Sequence, residues 1–191
     1  MKFQRTEIFD VVSIEPDIYE DERGYFIETF RLDKLEEFLG HEIRFCQDNE
    51  SKSARGVLRG LHYQMAPAAQ TKLVRVIYGS VLDVAVDIRV GSPTFGRHIS
   101  VLLSGENKRQ LLIPRGFAHG FVVLEDETVF SYKVDHPYSP ENDRGIYFSD
   151  DFLGIDRIFH HSDVKVSRKD KLHPKLTEAL DLFDYQIDYY K

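Results

Sequence analysis

Two histidines lie in strings whose composition suits proton transfer. His62 is in GVLRGLHYQ, residues 56–64, and His119 is in PRGFAHGF, residues 114–121. Histidine is the usual general base near neutral pH. In a strand, Gly60 would lie on the face opposite Arg59 and would let a ligand or another backbone approach closely. Taken singly, each histidine is more often a hydrogen-bonded structural residue, so both are only candidates.

Two further strings contain groups that bind or donate. In DERGYF, residues 21–26, Arg23 precedes a glycine and can present its guanidinium to a phosphate. A charged turn is the plainer interpretation of that string. In FSYKV, residues 130–134, Tyr132 shares a face with Phe130 and Val134, which predicts a phenol that points inward and needs a hydrogen-bond partner. Tyr132 also fits a purely structural role.

Composition and missing motifs exclude several classes of protein. The formal net charge is -7, which argues against a nucleic acid polymer as partner. No His-x-His, Cys-x-x-Cys, Walker, Gly-x-Gly-x-x-Gly or Gly-x-Ser-x-Gly string occurs. The single cysteine, Cys46, forms no intramolecular disulfide and is expected to be buried beside Phe45. No signal peptide and no apolar run of transmembrane length is recognised, so we expect no membrane association.

The elements that must position these residues are mostly short strands. Residues 81–89 alternate apolar side chains with Asp83, Asp87 and Arg89, which predicts a half-buried strand. Residues 72–78 precede it across Gly79-Ser80, which predicts a hairpin. Further strand candidates and two helix candidates complete the set: strands 98–103, 110–113, 120–124 and 128–134, a helix over 32–39 ended by Gly40, and a short helix over 177–183. This pattern predicts an all-β sandwich or barrel.

In order along the chain, the strings resemble the dTDP-4-dehydrorhamnose 3,5-epimerase family over roughly residues 3 to 174. The resemblance is strongest around His62 and His119. The other matching segments are Asp21-x-Arg23-Gly24-x-Phe26-x-Glu28, Gln47-x-Asn49, Lys72-Leu73-Val74-Arg75-Val76, Gly91-Ser92-Pro93-Thr94-Phe95-Gly96, Tyr132-Lys133, Tyr138-Ser139-Pro140, Arg144-Gly145 and Ser167-x-Lys169-Asp170.

That resemblance implies a jelly-roll cupin fold, or double-stranded β-helix, in a single domain over 1–191, with 150–191 as a C-terminal extension packed on it. It also implies a homodimer that uses neither metal nor cofactor, and the single cysteine suits a cytoplasmic protein. The implied substrate is a dTDP-4-keto-6-deoxyhexose, dTDP-4-dehydro-6-deoxy-D-glucose, which is epimerised at C3 and C5.

The resemblance also assigns roles to individual residues. His62 would be the general base, Tyr132 the general acid, Asp170 the partner of His62, and Lys72 the group at the C4 oxygen. The implied substrate-binding residues are His119, Arg23, Arg59, Glu28, Gln47, Asn49, Tyr138, Asp143 and Arg168. Removing a proton beside a ketone needs a base and a stabilised enolate oxygen, and inversion needs an acid on the opposite face.

Three positions depart from the family pattern. Asp143 stands where a glutamate is usual, Arg168 where a lysine is usual, and Arg157 where a tryptophan is usual. Three other functions remain open: an epimerase of C3 alone or C5 alone, a non-catalytic sugar-nucleotide-binding cupin, and a metal-dependent cupin such as an oxygenase. The missing His-x-His argues against the last of these.

Overall fold

A computed structural model describes residues 1–155 and 164–191. The described residues form sixteen strands, one α-helix and short 3-10 turns that include Asp170–Leu172 and Leu176–Glu178. In chain order, the helix and strands are β1 (Lys2–Arg5), β2 (Val12–Glu15), β3 (Ile18–Asp21), β4 (Gly24–Ile27), α1 (Leu32–Leu39), β5 (Gln47–Ser53), β6 (Val57–Gln64), β7 (Lys72–Tyr78), β8 (Ser80–Asp87), β9 (Arg89–Val90), β10 (His98–Ser104), β11 (Gln110–Ile113), β12 (Phe117–Val123), β13 (Thr128–Val134), β14 (Asp143–Gly145), β15 (Lys165–Val166) and β16 (Phe183–Asp184).

Two antiparallel sheets pack face to face. One has the strand order β1-β2-β11-β7-β13-β5, and the other has the order β10-β8-β12-β6-β14, with β15 pairing in parallel along β6. Between them lies an apolar cluster to which Val74 and Phe130 contribute from the first sheet and Ala85 and Phe121 from the second. Apart from β1 and β2, no two hydrogen-bonded neighbours among the described strands of these two sheets are consecutive in the chain, as in a double-stranded β-helix. The predicted jelly-roll cupin fold is confirmed.

Strand β8 is buried on both faces, so the prediction of a half-buried strand is wrong. Val84 and Val86 pack against residues from the C-terminal part of the chain, among them Leu176 and Phe183. The alternate residue Asp83 is also fully buried. The polar face of β8 therefore points into the sandwich, where its carboxylates have partners, and not into solvent.

The predicted hairpin over β7 and β8 is also wrong. β7 pairs with β11 and β13, whereas β8 pairs with β10 and β12 in the other sheet. Gly79, at a φ of +76°, joins the two strands at a corner between the sheets. Both strands are central in their sheets and hydrogen-bonded on both edges, so neither has an edge left for the other.

The two helix predictions have different outcomes. α1 covers the predicted residues and ends at Gly40, which adopts the left-handed conformation at a φ of 79°. Residues 177–183 do not form a helix, because the 3-10 turn ends at Glu178 and Phe183 joins β16 beside β9. Cys46 is exposed, contrary to the expectation that it is buried.

The β3–β4 hairpin is the most exposed part of the fold. Tyr19, Tyr25 and Phe26 are each more than half exposed, although all three are aromatic. No helix among the described residues is long and apolar enough to cross a membrane. Arg157, the third departure from the family pattern, lies outside the described residues.

Candidate active site

A cavity of about 590 Å³ opens between the two sheets. Its wall combines apolar side chains with basic, acidic and phenolic groups. The lining residues are Asn49, Glu50, Ser51, Val57, Leu58, Arg59, His62, Lys72, His119, Phe121, Phe130, Tyr132, Lys165, Ser167, Lys169 and Asp170. Seven of these were predicted as site residues: His62, Tyr132, Asp170, Lys72, Asn49, Arg59 and His119.

A bulge in β6 brings Arg59 and His62 to the same cavity. They are three residues apart, yet their partners Phe121 and His119 on β12 are two apart, so β6 holds one extra residue. Gly60 sits in the bulge at a φ of +131°, and a Cβ there would lie 2.5 Å from the Cα of Gly120. Simple strand alternation would place Arg59 and His62 on opposite faces, so this glycine makes their convergence possible.

His62 is held by a buried carboxylate. Its Nε2 lies 2.8 Å from Oδ1 of Asp170, and the His62 side chain is 34% exposed while that of Asp170 is 5% exposed. Burial by itself raises the pKa of Asp170. Hydrogen bonds from His62, the Gly60 backbone and Ser167 outweigh that effect and hold the pKa below its usual value. Asp170 is therefore ionised at neutral pH and can orient the imidazole and stabilise its protonated form.

Tyr132 reaches the cavity from the opposite sheet. It lies on β13, between Asn49 of β5 and Val74 of β7, and its ring packs near that of Phe130. Burial is the main cause that raises the pKa of Tyr132 above its usual value of 10.0. The phenol therefore keeps its proton at neutral pH and is available as a donor.

Lys72 supplies positive charge beside His62. Its Nζ donates a hydrogen bond of 3.4 Å to the backbone oxygen of His62. Burial lowers the pKa of Lys72 to about 8, against smaller opposing effects from Asp143 and Asp83. The ammonium group is therefore largely charged at neutral pH in a site partly shielded from water, where a charge interacts strongly with a nearby oxyanion.

His119 forms a second histidine–carboxylate pair. Its Nε2 contacts both carboxylate oxygens of Asp83 at 2.9 and 3.0 Å. His119 and Asp83 are both buried, and the imidazole lies near the rings of Phe121 and Phe130. Since His62 and His119 are opposite each other in register on β6 and β12, the cavity has two histidines on one wall.

The open side of the cavity is basic. Arg59 donates from Nε and from Nη2 to the hydroxyl of Ser53, at 3.2 and 3.1 Å, which leaves other guanidinium donors available for an anion. Lys165 and Lys169 line the same cavity. An acidic protein thus has a local concentration of positive charge that suits a phosphate or diphosphate.

Gln47, Tyr138 and Asp143 were also predicted as site residues, and they lie outside the cavity lining. They form a chain of contacts whose two ends reach the lining residues Asn49 and Lys169. Gln47 donates to Asn49 at 2.7 Å and accepts from the backbone N–H of Tyr138 at 3.2 Å. The Tyr138 hydroxyl donates to Asp143 at 3.0 Å, and Asp143 is paired with Lys169. Hydrogen bonds to Asp143 are also the main cause of the raised pKa of Tyr138. The exposed Tyr138 ring therefore sits beside the basic opening.

Three other predicted residues do not line the cavity. Arg23 is on the exposed β3–β4 hairpin, paired with Asp21. Glu28 follows that hairpin and accepts a hydrogen bond of 3.3 Å from Arg31. Arg168 is exposed, and the neighbouring Lys169 lines the cavity in its place. The structure of one chain thus does not bring Arg23, Glu28 or Arg168 together with His62.

Sequence reasoning assigned no role to three residues that lie near the predicted site residues. Asp83, the partner of His119, was seen only as a polar position in a strand, although its alternation with apolar residues was a usable signal. Lys169 was visible in the Ser167-x-Lys169-Asp170 string. No motif or spacing in the sequence indicated His173. Its ring lies edge-to-face with His62 at 5.6 Å, and its pKa is lowered chiefly by burial and then by the charge of His62.

A β-sandwich interior in which a histidine–carboxylate pair, a lysine and a phenol surround one cavity defines an acid–base enzyme of the cupin class. Residues 5–178 match the model of the dTDP-4-dehydrorhamnose 3,5-epimerase family, and the chain belongs to that family.

Individual relatives agree with this assignment. The chain is 56% identical over 156 residues to a dTDP-4-dehydrorhamnose 3,5-epimerase of Shigella flexneri, covering 82% of this chain and 86% of the relative. It is similar to the crystal structure of the Legionella pneumophila 3,5-epimerase in complex with dTDP-4-keto-L-rhamnose, with a TM-score of 0.92 and 49% identity over 97% and 99% of the two chains. A 3'-monoepimerase of Streptomyces bikiniensis in complex with dTDP-quinovose gives a TM-score of 0.88 and 33% identity over 95% and 92%.

Proposed function

We propose that this protein is an isomerase that converts dTDP-4-dehydro-6-deoxy-D-glucose to dTDP-4-dehydro-L-rhamnose by epimerisation at C3 and C5. One observation carries the proposal beyond family membership: His62 and Tyr132 line one cavity from two different sheets. A sugar ring bound between the sheets has a base on one face and an acid on the other. That arrangement is what inversion at carbon requires.

His62 removes the proton next to the C4 ketone. With Nε2–H donated to Asp170, Nδ1 carries the lone pair that accepts the substrate proton. The imidazolium that forms is stabilised by the ionised Asp170. Negative charge that moves onto the C4 oxygen is met by Lys72, whose charge is already in place before the reaction begins.

Tyr132 then delivers a proton to the opposite face of the same carbon. The tyrosinate takes back a proton from solvent, and His62 releases its proton, so the enzyme returns to its starting state. The C–H bond broken and the C–H bond formed are at one carbon, with no net transfer of electrons. The chemistry therefore calls for neither a redox cofactor nor a metal ion.

The nucleotide is bound away from the reacting carbons. We assign the diphosphate to Arg59 with Lys165 and Lys169, and the thymine to the exposed ring of Tyr138. Asn49 and Gln47 hold polar groups of the ligand, and Asp143 orients Tyr138. Binding energy gained at these groups positions the sugar ring between base and acid.

We infer that the active protein is a homodimer. The β3–β4 hairpin exposes three aromatic side chains and carries Arg23, which does not line the chain's own cavity. A second copy of the chain would cover these rings and bring Arg23 and Glu28 to the cavity of its partner. With one unpaired cysteine, the protein suits a reducing cytoplasm, where we propose that it acts. A monomer in sedimentation experiments with dTDP present would contradict the dimer.

Heavy water tests the proposed reaction. The protein incubated with dTDP-4-dehydro-6-deoxy-D-glucose in D₂O should incorporate deuterium at both C3 and C5, with the rhamnose-configured product seen by NMR. Deuterium at C3 alone or C5 alone would identify a mono-epimerase. The higher identity to the Legionella 3,5-epimerase than to the Streptomyces 3'-monoepimerase, 49% against 33%, favours reaction at both carbons. Binding without exchange would identify a non-catalytic protein.

A further inference from the structure

A second imidazole stands behind the catalytic base. Among the residues that the structure describes, His62, Asp170 and His173 form a group in which one ligand atom of each lies within 4.8 Å of the others. Asp170 and His173 come from the same short segment, the 3-10 turn Asp170–Leu172 and the residue after it. The turn therefore delivers a carboxylate and an imidazole to the same neighbourhood of His62.

The ring of His173 fits beside β14 because Gly145 on that strand has no side chain. Gly145 is the register partner of His62, and a Cβ on Gly145 would lie 2.2 Å from ring atoms of His173. The imidazole thus fills the space beside His62 that any other residue at 145 would occupy. Its Nδ1 is buried and has no hydrogen-bond partner within the described ranges. A buried nitrogen that lacks a partner costs free energy, unless it binds something.

Two imidazoles and one carboxylate are the donors that Zn²⁺ accepts in three-ligand sites that leave a fourth position for water. The same donors suit Co²⁺ and Ni²⁺, whereas Mg²⁺ and Ca²⁺ prefer sites made wholly of oxygen. With the three donor atoms within 4.8 Å of one another, the side chains must close around an ion to reach the roughly 2 Å of coordination bonds. His62 is 34% exposed, so an ion can reach the group through the cavity.

We propose that His62, Asp170 and His173 form a binding site for a transition-metal ion such as Zn²⁺, and that a bound ion switches the enzyme off. The inhibitory effect rests on the proposed role of His62 as the base. The site itself rests only on the geometry of the three side chains.

Inhibition follows from the tautomer of His62. In the metal-free enzyme, Nε2 carries a hydrogen donated to Asp170, and Nδ1 carries the lone pair. A metal ion bound between His62 and Asp170 takes the Nε2 lone pair, so the neutral ring must carry its hydrogen on Nδ1. The proton moves from Nε2 to Nδ1 through solvent, and no net proton is released. The base then has no lone pair for the substrate, although the nucleotide site is unchanged.

The test compares zinc inhibition of wild type with that of His173→Phe, which keeps an aromatic ring and removes both nitrogens. Epimerisation by wild type should be lost at micromolar ZnCl₂ in a non-chelating buffer and be recovered with EDTA, while MgCl₂ has no effect and dTDP affinity is unchanged. His173→Phe should need at least about tenfold more ZnCl₂ for the same inhibition. His41→Phe, at an exposed histidine outside the group, should be inhibited like wild type.

Equal zinc sensitivity of His173→Phe and wild type, or no inhibition at millimolar zinc, would overturn the proposal. Direct binding keeps the site testable if His173→Phe is inactive or if His62 is not the base. Calorimetric titration with ZnCl₂ should give one site in wild type that is weakened at least about tenfold in Asp170→Asn and in His173→Gln. Zinc affinity equal to that of wild type in those two folded variants would eliminate the site, whereas zinc binding to wild type without inhibition would overturn the proposed switch and leave the site.

Discussion

Two histidine–aspartate pairs lie side by side in this protein and have the same atoms but different surroundings. In the His62–Asp170 pair, the imidazole is 34% exposed to the cavity and contacts one carboxylate oxygen. In the His119–Asp83 pair, the imidazole is 8% exposed, contacts both carboxylate oxygens and lies against two phenylalanine rings. The Nδ1 nitrogen of the first ring has no hydrogen-bond partner among the described residues and faces room for a group that gives up a proton. In the second ring, the nitrogen that faces Asp83 is held by two contacts, so this imidazole is suited to donating a hydrogen bond or to packing in the core.

This difference is the reason that we propose His62, and not His119, as the base, since residue type alone does not distinguish the two. Both histidines lie in long motif strings, and both have a buried carboxylate partner. What differs is access to the cavity and the number of fixed contacts. Mutations of the first pair should therefore change the rate, and mutations of the second should mainly change stability and binding.

The largest expected effect is that of His62→Ala. Without the base no enolate forms, so both deuterium exchange and product formation should disappear, while dTDP affinity is retained. The measurement is the heavy-water NMR assay together with calorimetry of dTDP binding. His119→Ala is the matched control, because it removes the other imidazole of the same wall and should leave measurable exchange. Exchange that survives in His62→Ala and is lost in His119→Ala would reverse the assignment.

Tyr132→Phe should separate the two halves of the reaction. The substitution removes only the hydroxyl and preserves the packing against Phe130. Inverted product should fall by roughly 10²–10⁴-fold, the range typical of losing a positioned acid. Exchange should persist, because His62 can return a deuteron to the face from which it took a proton. Normal epimerisation by Tyr132→Phe would remove this residue from the mechanism.

Asp170→Asn and Asp83→Asn compare the two carboxylates directly. Asp170→Asn should lower kcat by ~10²-fold with little change in KM, because it disturbs the tautomer and charge of the base. Asp83→Asn should destabilise the fold by about 1–3 kcal/mol, because a fully buried hydrogen-bonded charge is replaced. Steady-state kinetics and urea unfolding separate the outcomes. Equal kinetics for Asp170→Asn and wild type would contradict the pairing role.

The sequence predicted which residues meet at the cavity better than it predicted the connections between strands. His62, His119, Lys72 and Tyr132 could be found because motif strings surround them. The β6 bulge could not be predicted, since it depends on the close approach of Gly60 to Gly120 on a strand that follows about sixty residues later. Non-local pairing also explains why the predicted hairpin at Gly79-Ser80 was wrong. A Gly-Ser pair is equally suited to a tight hairpin turn and to a corner between two sheets, and only the distant partners of β7 and β8 decide between them.

Local patterns also failed where tertiary contacts decide burial. The alternation in β8 was correct, but the face with Asp83 and Asp87 turns inward, where His119 contacts the first carboxylate and Arg89 forms an ion pair with the second. The apolar face is covered by residues such as Leu176 and Phe183, which come from far along the chain. His173 was invisible for the same reason, since only the fold brings it beside His62.

Arg59 lies on the same strand as His62, and its substitution should weaken nucleotide binding more than it slows turnover. Arg59→Ala should weaken dTDP binding by ~1.5–3 kcal/mol, the contribution expected of one charged hydrogen-bond pair. Its kcat should change less than that of Asp170→Asn, since Arg59 does not contact the reacting carbons. Calorimetry with dTDP measures the effect. Arg55→Ala, at an exposed arginine outside the cavity lining, is the control, and unchanged dTDP affinity in Arg59→Ala would count against the diphosphate role.

The last prediction concerns pH and depends on Lys72, which contacts the backbone of His62 and is influenced by the charge of Asp83. Burial lowers the pKa of Lys72 from 10.5 to about 8, and nearby Asp143 and, less strongly, Asp83 oppose that shift. If Lys72 must be charged to stabilise the enolate, kcat/KM should fall about tenfold per pH unit above pH 8. Stability should change in the opposite direction. Between pH 8 and 10.5 the unfolded chain binds more protons at this lysine than the folded chain does, so the contribution of Lys72 to the free energy of unfolding rises with pH.

Variants of Lys72 and Asp83 test whether these two residues cause the fall in kcat/KM above pH 8, which is the basic limb of the pH profile. Lys72→Arg keeps a charge at all accessible pH values, so its slower reaction should show no limb near pH 8. Asp83→Asn removes one of the charges that favour the protonated lysine, so the limb should move to lower pH by less than about one unit. Asp170 does not contribute to the pKa of Lys72, and Asp170→Asn should leave the limb in place. Ionisation of Tyr132 would give a limb only above its usual pKa of 10.0. A wild-type profile that stays flat beyond about pH 9 would therefore show that catalysis does not depend on the charge of Lys72.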